Sequence, residues 1–157
     1  MSRPESIENR WDILYRDYPE VYEAFSNTPY HPTVYEQLPG IIDLSGKYVA
    51  DVGAGTGSSS LALSRYAQKV IGIEREPAML RVARQKAHAA GAERVSYLSG
   101  DALALPLADD SVDLVTGITL AIYPPELYRV FIREGLRVAK SALVYLGIPP
   151  GAYGGDL

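Results

Sequence analysis

Aromatic residues near the N-terminus recur with the period of an α-helix. Successive members of the set are separated by four, three, four and three residues: Trp11, Tyr15, Tyr18, Tyr22 and Phe25. This spacing puts all five on one face of a helix, so we predict a helix over residues 6–27 that packs through the aromatic stripe. Pro19 should break or kink it, because proline cannot donate the helical hydrogen bond.

A short punctuated segment follows. Residues 26–32 contain Asn27 and two prolines and read as a loop. Residues 33–38 are predicted to form a short helix that ends at Pro39 and Gly40.

From residue 48 onward, short apolar runs alternate with helical patterns. The predicted strands cover residues 48–52, 69–74, 94–98, 111–116 and 142–148. The predicted helices cover residues 58–67, 77–90 and 124–140. This alternation predicts an α/β fold, a doubly wound Rossmann-like parallel sheet of about five strands flanked by helices, with an N-terminal helical lid.

We expect a single domain over residues 1–157. Residues 1–44 would form the N-terminal helical cap, residues 45–148 the ligand-binding core and residues 149–157 a tail. A length of 157 residues and a hydrophobic content of 47% are sufficient for one core.

Composition narrows the function classes. The chain has no cysteine, which excludes a disulfide scaffold, a thiolate zinc site and a cysteine nucleophile. With two histidines, no histidine metal site is expected. A net charge of −4 without a basic patch disfavours nucleic acid as a partner. Neither a membrane-spanning run nor a signal-peptide core is seen, so we expect a cytoplasmic protein without a membrane partner.

The most informative motif is the glycine loop Asp-Val-Gly-Ala-Gly-Thr-Gly at residues 51–57. It follows a predicted strand and opens a helix, so its backbone N–H groups can point at a ligand. Dinucleotide loops carry glycine one position later, where this chain has Ser58, and no Gly-Lys-Ser/Thr of a P-loop follows. A tight strand–helix turn that binds nothing is the alternative.

Two acids lie at the ends of the next predicted strands. Glu74 ends the second strand, beside the glycine loop in a doubly wound sheet, where its carboxylate can accept both hydroxyls of a ribose. Asp101 ends the third strand and can accept from an adenine amino group, although it would equally serve as a helix N-cap.

With these features the sequence resembles a class I S-adenosylmethionine-dependent methyltransferase of the small-molecule, ubiquinone/menaquinone methyltransferase-like group. Four segments carry the resemblance: residues 51–57, 70–80, 97–115 and 134–140. Together they span roughly residues 45–147. The family's antiparallel hairpin after strand five has no counterpart here, so the chain resembles a member that lacks the C-terminal strands.

The resemblance implies a set of cofactor-binding residues, namely Asp51, Gly53, Ala54, Gly55, Gly57, Glu74, Arg75, Met79, Asp101, Ala102 and Gly117. The glycines would approach the methionine part, and Asp51 would orient their loop and help hold the amino-acid end. Glu74 would bind the ribose, Met79 would pack near the nucleoside, Asp101 and Ala102 would bind the adenine, and Gly117 would lie close to the methyl group.

The same resemblance assigns the N-terminal segment to a cover over the cofactor. Tyr30 and His31 are the candidates for a general base, should the acceptor have to lose a proton. Core packing of the aromatic stripe, and an ordinary loop role for His31, are the alternatives.

Methyl transfer to a small-molecule acceptor is therefore the leading functional hypothesis. A cofactor-binding module without catalysis of its own is the second, and a nicotinamide-dependent reductase is the third. An uncovered edge of strand five would also favour a homo-oligomer through that edge.

Overall fold

A parallel sheet forms the centre of the computed structural model, which describes residues 10–28, 30–120, 122 and 125–147. Its strands are β1 (Tyr48–Val52), β2 (Lys69–Glu74), β3 (Val95–Ser99), β4 (Val112–Ile118) and β5 (Ala139–Leu146). The spatial order is β3-β2-β1-β4-β5. Successive strands are therefore added outward from β1 on one side as far as β3, and then on the other side from β4, so the strand order reverses between β1 and β4. This confirms the predicted doubly wound fold, in which ligands bind at the carboxyl ends of the strands near that reversal.

Six α-helices surround the sheet in the part of the chain that the structure describes. They are α1 (Arg10–Asp17), α2 (Pro19–Ser26), α3 (Tyr30–Ile41), α4 (Ser58–Ser64), α5 (Pro77–Ala89) and α6 (Tyr128–Val138), the last preceded by a 3-10 turn, Pro125–Leu127. We call α1 and α2 the cap. Helices α3, α4 and α5 cover one face of the sheet, and α6 covers the other.

Each strand of the interior contributes to both faces, as the alternation of side chains in a strand requires. In β1, Val49 packs with Leu38 of α3 and Leu63 of α4. Its neighbour Ala50 belongs to the opposite cluster, which includes Phe131 of α6. Burial on both faces explains why β1 is apolar apart from Asp51.

The N-terminal elements differ in part from the prediction. Pro19 does divide the first helix, since α1 ends at Asp17 and α2 begins at Pro19. The predicted loop over residues 26–32 and helix over residues 33–38 are wrong in their bounds, because α3 begins at Tyr30 and continues to Ile41. Proline in the first turn removes an N–H that has no helical partner there, which explains how Pro32 fits.

The C-terminal elements show a second correction. Helix α6 ends at Val138, two residues before the predicted end, and β5 begins at Ala139, three residues before the predicted start. Ala139 has extended backbone and pairs with Val112 of β4. The register with β4, which periodicity does not reveal, therefore decides where the strand begins.

Candidate functional site

The loop between β1 and α4 has three glycines in the left-handed backbone region. Their φ angles are +73° at Gly53, +54° at Gly55 and +86° at Gly57. The N–H groups of Gly53 and Ala54 both donate to the carbonyl of Ile73 in β2, at 2.9 and 3.1 Å. The loop is thereby fixed against the end of the neighbouring strand, in a conformation that favours glycine.

Glu74 ends β2 directly beside this loop. Its Oε2 accepts a hydrogen bond from the Gly55 N–H at 3.0 Å, and its Oε1 accepts from the Glu76 N–H at 2.9 Å. Burial raises the pKa of the Glu74 carboxyl, while these backbone hydrogen bonds oppose the shift by favouring the charged form. The prediction that Glu74 lies at the same edge as the glycine loop is confirmed.

Asp51 lies below the loop and is 1% exposed. Its Oδ2 accepts from the hydroxyls of Ser59 and Ser60 at 2.6 and 2.7 Å, and its Oδ1 accepts from Thr116 at 3.0 Å. Burial raises the pKa of Asp51 against the effect of these hydrogen bonds. The carboxylate thus ties β1 to the first turn of α4 and to β4.

Packing within the chain accounts for Gly53 and Gly57 of the loop and for Gly72 of β2. A Cβ at Gly57 would overlap the Tyr97 hydroxyl, and a Cβ at Gly72 would lie 2.5 Å from a Tyr97 ring carbon. A Cβ at Gly53 would overlap the side chain of Leu120. Gly55 differs, because a Cβ there would face the cap and Met79 at ordinary contact distance. Close approach to a ligand is therefore an argument for Gly55 above all.

Gly117 was predicted to lie just past the fourth strand, but the structure places it within β4. A Cβ at Gly117 would be 3.3 Å from Leu120, the same side chain that lies against Gly53. The Leu120 carbonyl accepts from the Tyr145 hydroxyl at 2.9 Å, and the preceding Thr119 has a φ of +55°. Such backbone strain is commonly found at functional sites.

The cap lies over the loop. A Cβ at Gly55 would be 3.5 Å from a Tyr22 ring carbon and 3.5 Å from the methyl group of Met79. The space between cap and loop has a volume of about 10 Å³, which is room for about one water molecule. Its lining includes Tyr22, Ser26, Tyr35, Thr56 and Ser58. The cap therefore closes the cleft above the glycine loop.

Among the described side chains, three ion pairs hold the cap to the core, each with its acid on the cap. They join Asp12 to Arg75 at 2.7 Å, Glu20 to Arg81 at 3.6 Å and Glu23 to Lys86 at 2.6 Å. The side chains of the first two pairs are 44–67% exposed, whereas those of Lys86 and Glu23 are 24% and 20% exposed. The third pair is thus the one that the protein shields from solvent.

Asp101 and Ala102 lie in a turn after β3. The prediction that Asp101 ends this strand is wrong, because the strand ends at Ser99 and Asp101 comes two residues later. Its Oδ1 accepts from the Leu103 N–H at 2.9 Å, and the Gly100 N–H donates to the Glu74 carbonyl at 3.1 Å. The exposed Asp101 therefore shapes a turn that begins next to Glu74 and caps no helix.

Of the two candidate bases, the structure describes the side chain of His31. His31 is 3% exposed and lies between Phe25 and Tyr35, with ring centroids 5.7 and 6.3 Å away. Burial lowers its pKa. Tyr30 begins α3, but its side chain lies outside the described residues. His31 therefore packs in the aromatic cluster and does not line the small cavity at the loop.

Several side chains at this edge were missed by sequence reasoning. Tyr22 was recognised as a member of the aromatic stripe, but its contact with Gly55 was not. Lys86, Tyr97 and Leu120 carried no signal, because their roles come from contacts between residues far apart in the chain. The Lys86–Glu23 hydrogen bond, for example, spans 63 residues.

Among residues 10–28, 30–120, 122 and 125–147, no group of three or more histidine, aspartate or glutamate side chains is arranged to hold a metal ion. Of the helices in the described part of the chain, none is long and apolar enough to cross a bilayer.

Comparison with known proteins gives a consistent picture. Residues 49–142 match the family described as a methyltransferase domain. An uncharacterised methyltransferase of Bacillus subtilis, YcgJ, is 39% identical over 93 residues, which cover 59% of this chain and 36% of that protein. A demethylmenaquinone methyltransferase of Thermus thermophilus is 39% identical over 125 residues, covering 72% of this chain and 54% of the relative.

Solved structures agree in fold. The crystal structure of the Bacillus subtilis YcgJ protein superposes with a TM-score of 0.63 at 34% identity, covering 70% of this chain and 47% of that one. A SAM-dependent methyltransferase from Aquifex aeolicus has a TM-score of 0.68 at 26% identity, covering 80% of this chain and 71% of that one. The chain spans about half the length of the curated relatives it matches.

Proposed function

Because the chain belongs to the class I S-adenosylmethionine-dependent methyltransferases of the menaquinone-like group, we propose that it transfers a methyl group from that cofactor to a small-molecule acceptor. The observation that carries the proposal is the hydrogen bond between Gly55 and Glu74, 3.0 Å long. It joins the glycine loop to an acid at the carboxyl edge of the sheet, where doubly wound sheets bind nucleosides.

The residues at this edge fit the cofactor chemically. Glu74 offers carboxylate oxygens to the two ribose hydroxyls, and Gly55 offers a backbone without a Cβ in the way. Asp51 acts on the loop through Ser59 and Ser60, because both of its oxygens are already occupied by hydroxyl donors. Its part in holding the amino-acid end would thus be the positioning of the loop.

The nucleoside end has a second set of candidates. The buried Met79 would pack on the nucleoside, and Asp101 with Ala102 would bind the adenine from the turn beside Glu74. Arg75 is engaged with Asp12 of the cap, so its contribution would include holding the cap near this end.

When bound, S-adenosylmethionine supplies a methyl group that its sulfonium makes electrophilic. The chain's own residues then have to bind the cofactor, orient the acceptor and exclude water. Leu120 supports the last role, since its apolar side chain lies against both Gly53 and Gly117, where the methyl group is expected. The cap has to move first, because about 10 Å³ cannot admit the cofactor.

The acceptor is proposed by class. Relatives named demethylmenaquinone methyltransferases make a reduced quinone ring the first acceptor to test. If the acceptor must lose a proton, Tyr30 or His31 would have to serve as the base, and His31 would first need to leave its aromatic cluster.

A cofactor-binding module without catalysis of its own is the second candidate. The candidate residues that the structure gathers at this edge favour it, since Glu74, Gly55 and Met79 are those expected to bind the cofactor. Self-association through the edge of β5 is compatible with both candidate functions. Among the described strands β5 pairs with β4 alone, which supports such an association.

Calorimetric titration with S-adenosylhomocysteine tests the proposal, with NADH as the control ligand. We expect micromolar binding of the former and none of the latter, followed by methyl transfer to a reduced demethylmenaquinone analogue. Binding without turnover on a panel of acceptors would favour the module. A folded chain that binds no S-adenosylhomocysteine would contradict both candidates, and binding of NADH alone would support the reductase hypothesis.

A further inference from the structure

The best-shielded ion pair of the cap lies beside the glycine loop. The Lys86 Nζ donates to Oε1 of Glu23 at 2.6 Å and to the Ser58 hydroxyl at 2.7 Å. Asn27 donates to the same Glu23 oxygen at 2.9 Å. One ammonium and one carboxylate are therefore held together at the start of α4 by polar neighbours on both sides.

The pair adjoins the small cavity under the cap. Ser58, which accepts from Lys86, lines that cavity, and so do Tyr22 and Ser26, which flank Glu23 on α2. Thr56, another lining residue, hydrogen-bonds the Glu23 carboxylate. Both charges thus lie beside the small cavity under the cap.

The hydrogen bonds of the pair favour the ionised form of the Glu23 carboxylate. Burial alone would raise the pKa of Glu23, but hydrogen bonds from Lys86, Thr56 and Asn27 outweigh it and lower the pKa. A partly buried ion pair contributes little net stability, because desolvation of both groups offsets their attraction. A ligand that presents both an ammonium and a carboxylate could exchange with the pair and leave every charge matched.

We propose that Glu23 and Lys86 recognise the amino-acid end of S-adenosylmethionine, Glu23 taking its α-ammonium and Lys86 its α-carboxylate. This inference rests on the proposed function. Glu23 comes from the cap and Lys86 from α5, so the exchange would also close the cap over the bound cofactor. Neither residue belongs to the glycine loop, which is expected to approach the methionine part. Neither is one of the strand-end acids through which the nucleoside is expected to bind.

Two ligands separate this role from simple fastening of the cap. S-adenosylhomocysteine carries the amino-acid end, whereas 5′-methylthioadenosine has the same adenosine and sulfur without it. We expect Glu23→Gln and Lys86→Gln each to weaken binding of S-adenosylhomocysteine about tenfold or more, as loss of a charged hydrogen bond does. Binding of 5′-methylthioadenosine should stay within about twofold, because it lacks the charged groups.

The matched control is Arg81→Gln, which removes the exposed cap pair with Glu20 and should leave both affinities unchanged. Glu23→Asp keeps the charge and provides a second variant, which should retain part of the preference for S-adenosylhomocysteine. Circular dichroism establishes that each variant is folded.

Three results would overturn the assignment. The first is an equal change in both affinities, which would make the pair a fastening of the cap. The second is tighter binding of both ligands by the variants, which would make it a latch that opposes the cofactor. The third is a wild-type chain that binds both ligands equally. A wild-type chain that binds neither ligand would contradict the proposed function itself.

Discussion

The N–H of Gly55 donates to the carboxylate of Glu74 across 3.0 Å, 19 residues apart in the chain. The same carboxylate accepts from the Glu76 N–H through its other oxygen, so it spans the glycine loop and the start of α5. Because this carboxylate shapes the loop and is also the proposed acceptor for the ribose hydroxyls, its removal should affect both ligand binding and the fold.

Replacement of Glu74 by alanine should reduce the affinity for S-adenosylhomocysteine. The variant loses the acceptor for the ribose hydroxyls, and charged hydrogen bonds of this kind correspond to a loss of at least about tenfold. Glu74→Gln keeps one carbonyl acceptor, so its affinity for S-adenosylhomocysteine should lie between those of the wild type and Glu74→Ala. Calorimetric titration of the three proteins measures the order.

The neighbouring acid provides the control. Glu76 caps α5, accepting from the Ala78 N–H at 3.3 Å, and offers no group to the cleft. Glu76→Ala should cost about 1 kcal/mol of stability, as loss of an N-cap does, with cofactor affinity unchanged. Equal affinity losses at Glu74 and Glu76 would argue that the ribose assignment is wrong.

A second prediction uses two glycines with nearly the same backbone. Gly55 has a φ of +54° and Gly91 a φ of +59°, so alanine at either position carries a similar strain of about 1 kcal/mol. Gly91 faces open space, whereas Gly55 faces the side chains of Tyr22 in the cap and of Met79. We expect both alanine variants to lower the urea midpoint alike, while Gly55→Ala alone weakens S-adenosylhomocysteine binding. Unchanged affinity in Gly55→Ala would remove the loop from the site.

The parts of the fold that the sequence predicted are those with local signals. β2 was placed at residues 69–74 because a short apolar run there is followed by a helix-starting proline, and the structure has the same bounds. Glu74 was recognised for the same reason, since the end of a strand beside a glycine loop is defined by the order of elements.

The remainder depends on contacts between distant residues. The Glu23–Lys86 pair joins two helices 63 residues apart, and no periodicity reports which charges will meet. The start of β5 was placed late because Lys140 and Ser141 are polar and exposed, although β5 already begins at Ala139. At an edge strand, backbone pairing decides the bounds, and polarity is a poor guide.

The buried carboxylate of Asp51 gives a prediction about stability. Asparagine has a single oxygen, so it cannot accept from Ser59, Ser60 and Thr116 as the carboxylate does. We expect Asp51→Asn to lower the free energy of unfolding by about 1–3 kcal/mol, the cost of unsatisfied buried polar groups. Thr116→Val removes one donor at 3.0 Å and should cost less. Urea unfolding of the three proteins checks this, and equal stability would contradict it.

The edge of β5 leads to a prediction about assembly. Among the described strands β5 has one neighbour, β4, and the adjacent helix α6 exposes Ile132 and Leu136, which are 45% and 57% exposed. An open edge beside apolar side chains favours pairing with a second copy. Light scattering over a wide concentration range should give a mass above the 17.1 kDa of one chain. A constant monomer mass would rule out this assembly.

The pH dependence of stability should report the burial of His31. Because burial lowers its pKa, the unfolded chain binds the proton first as the pH falls below about 6.5. Stability is therefore lost from about pH 6.5 downward, by at most about 1.4 kcal/mol per pH unit, until the folded protein also binds the proton. His31→Phe keeps an aromatic ring between Phe25 and Tyr35 and removes the titrating group. The stability of the variant relative to the wild type should rise between pH 7.5 and pH 5.5 in urea unfolding. A constant difference would mean that His31 titrates normally in the folded protein.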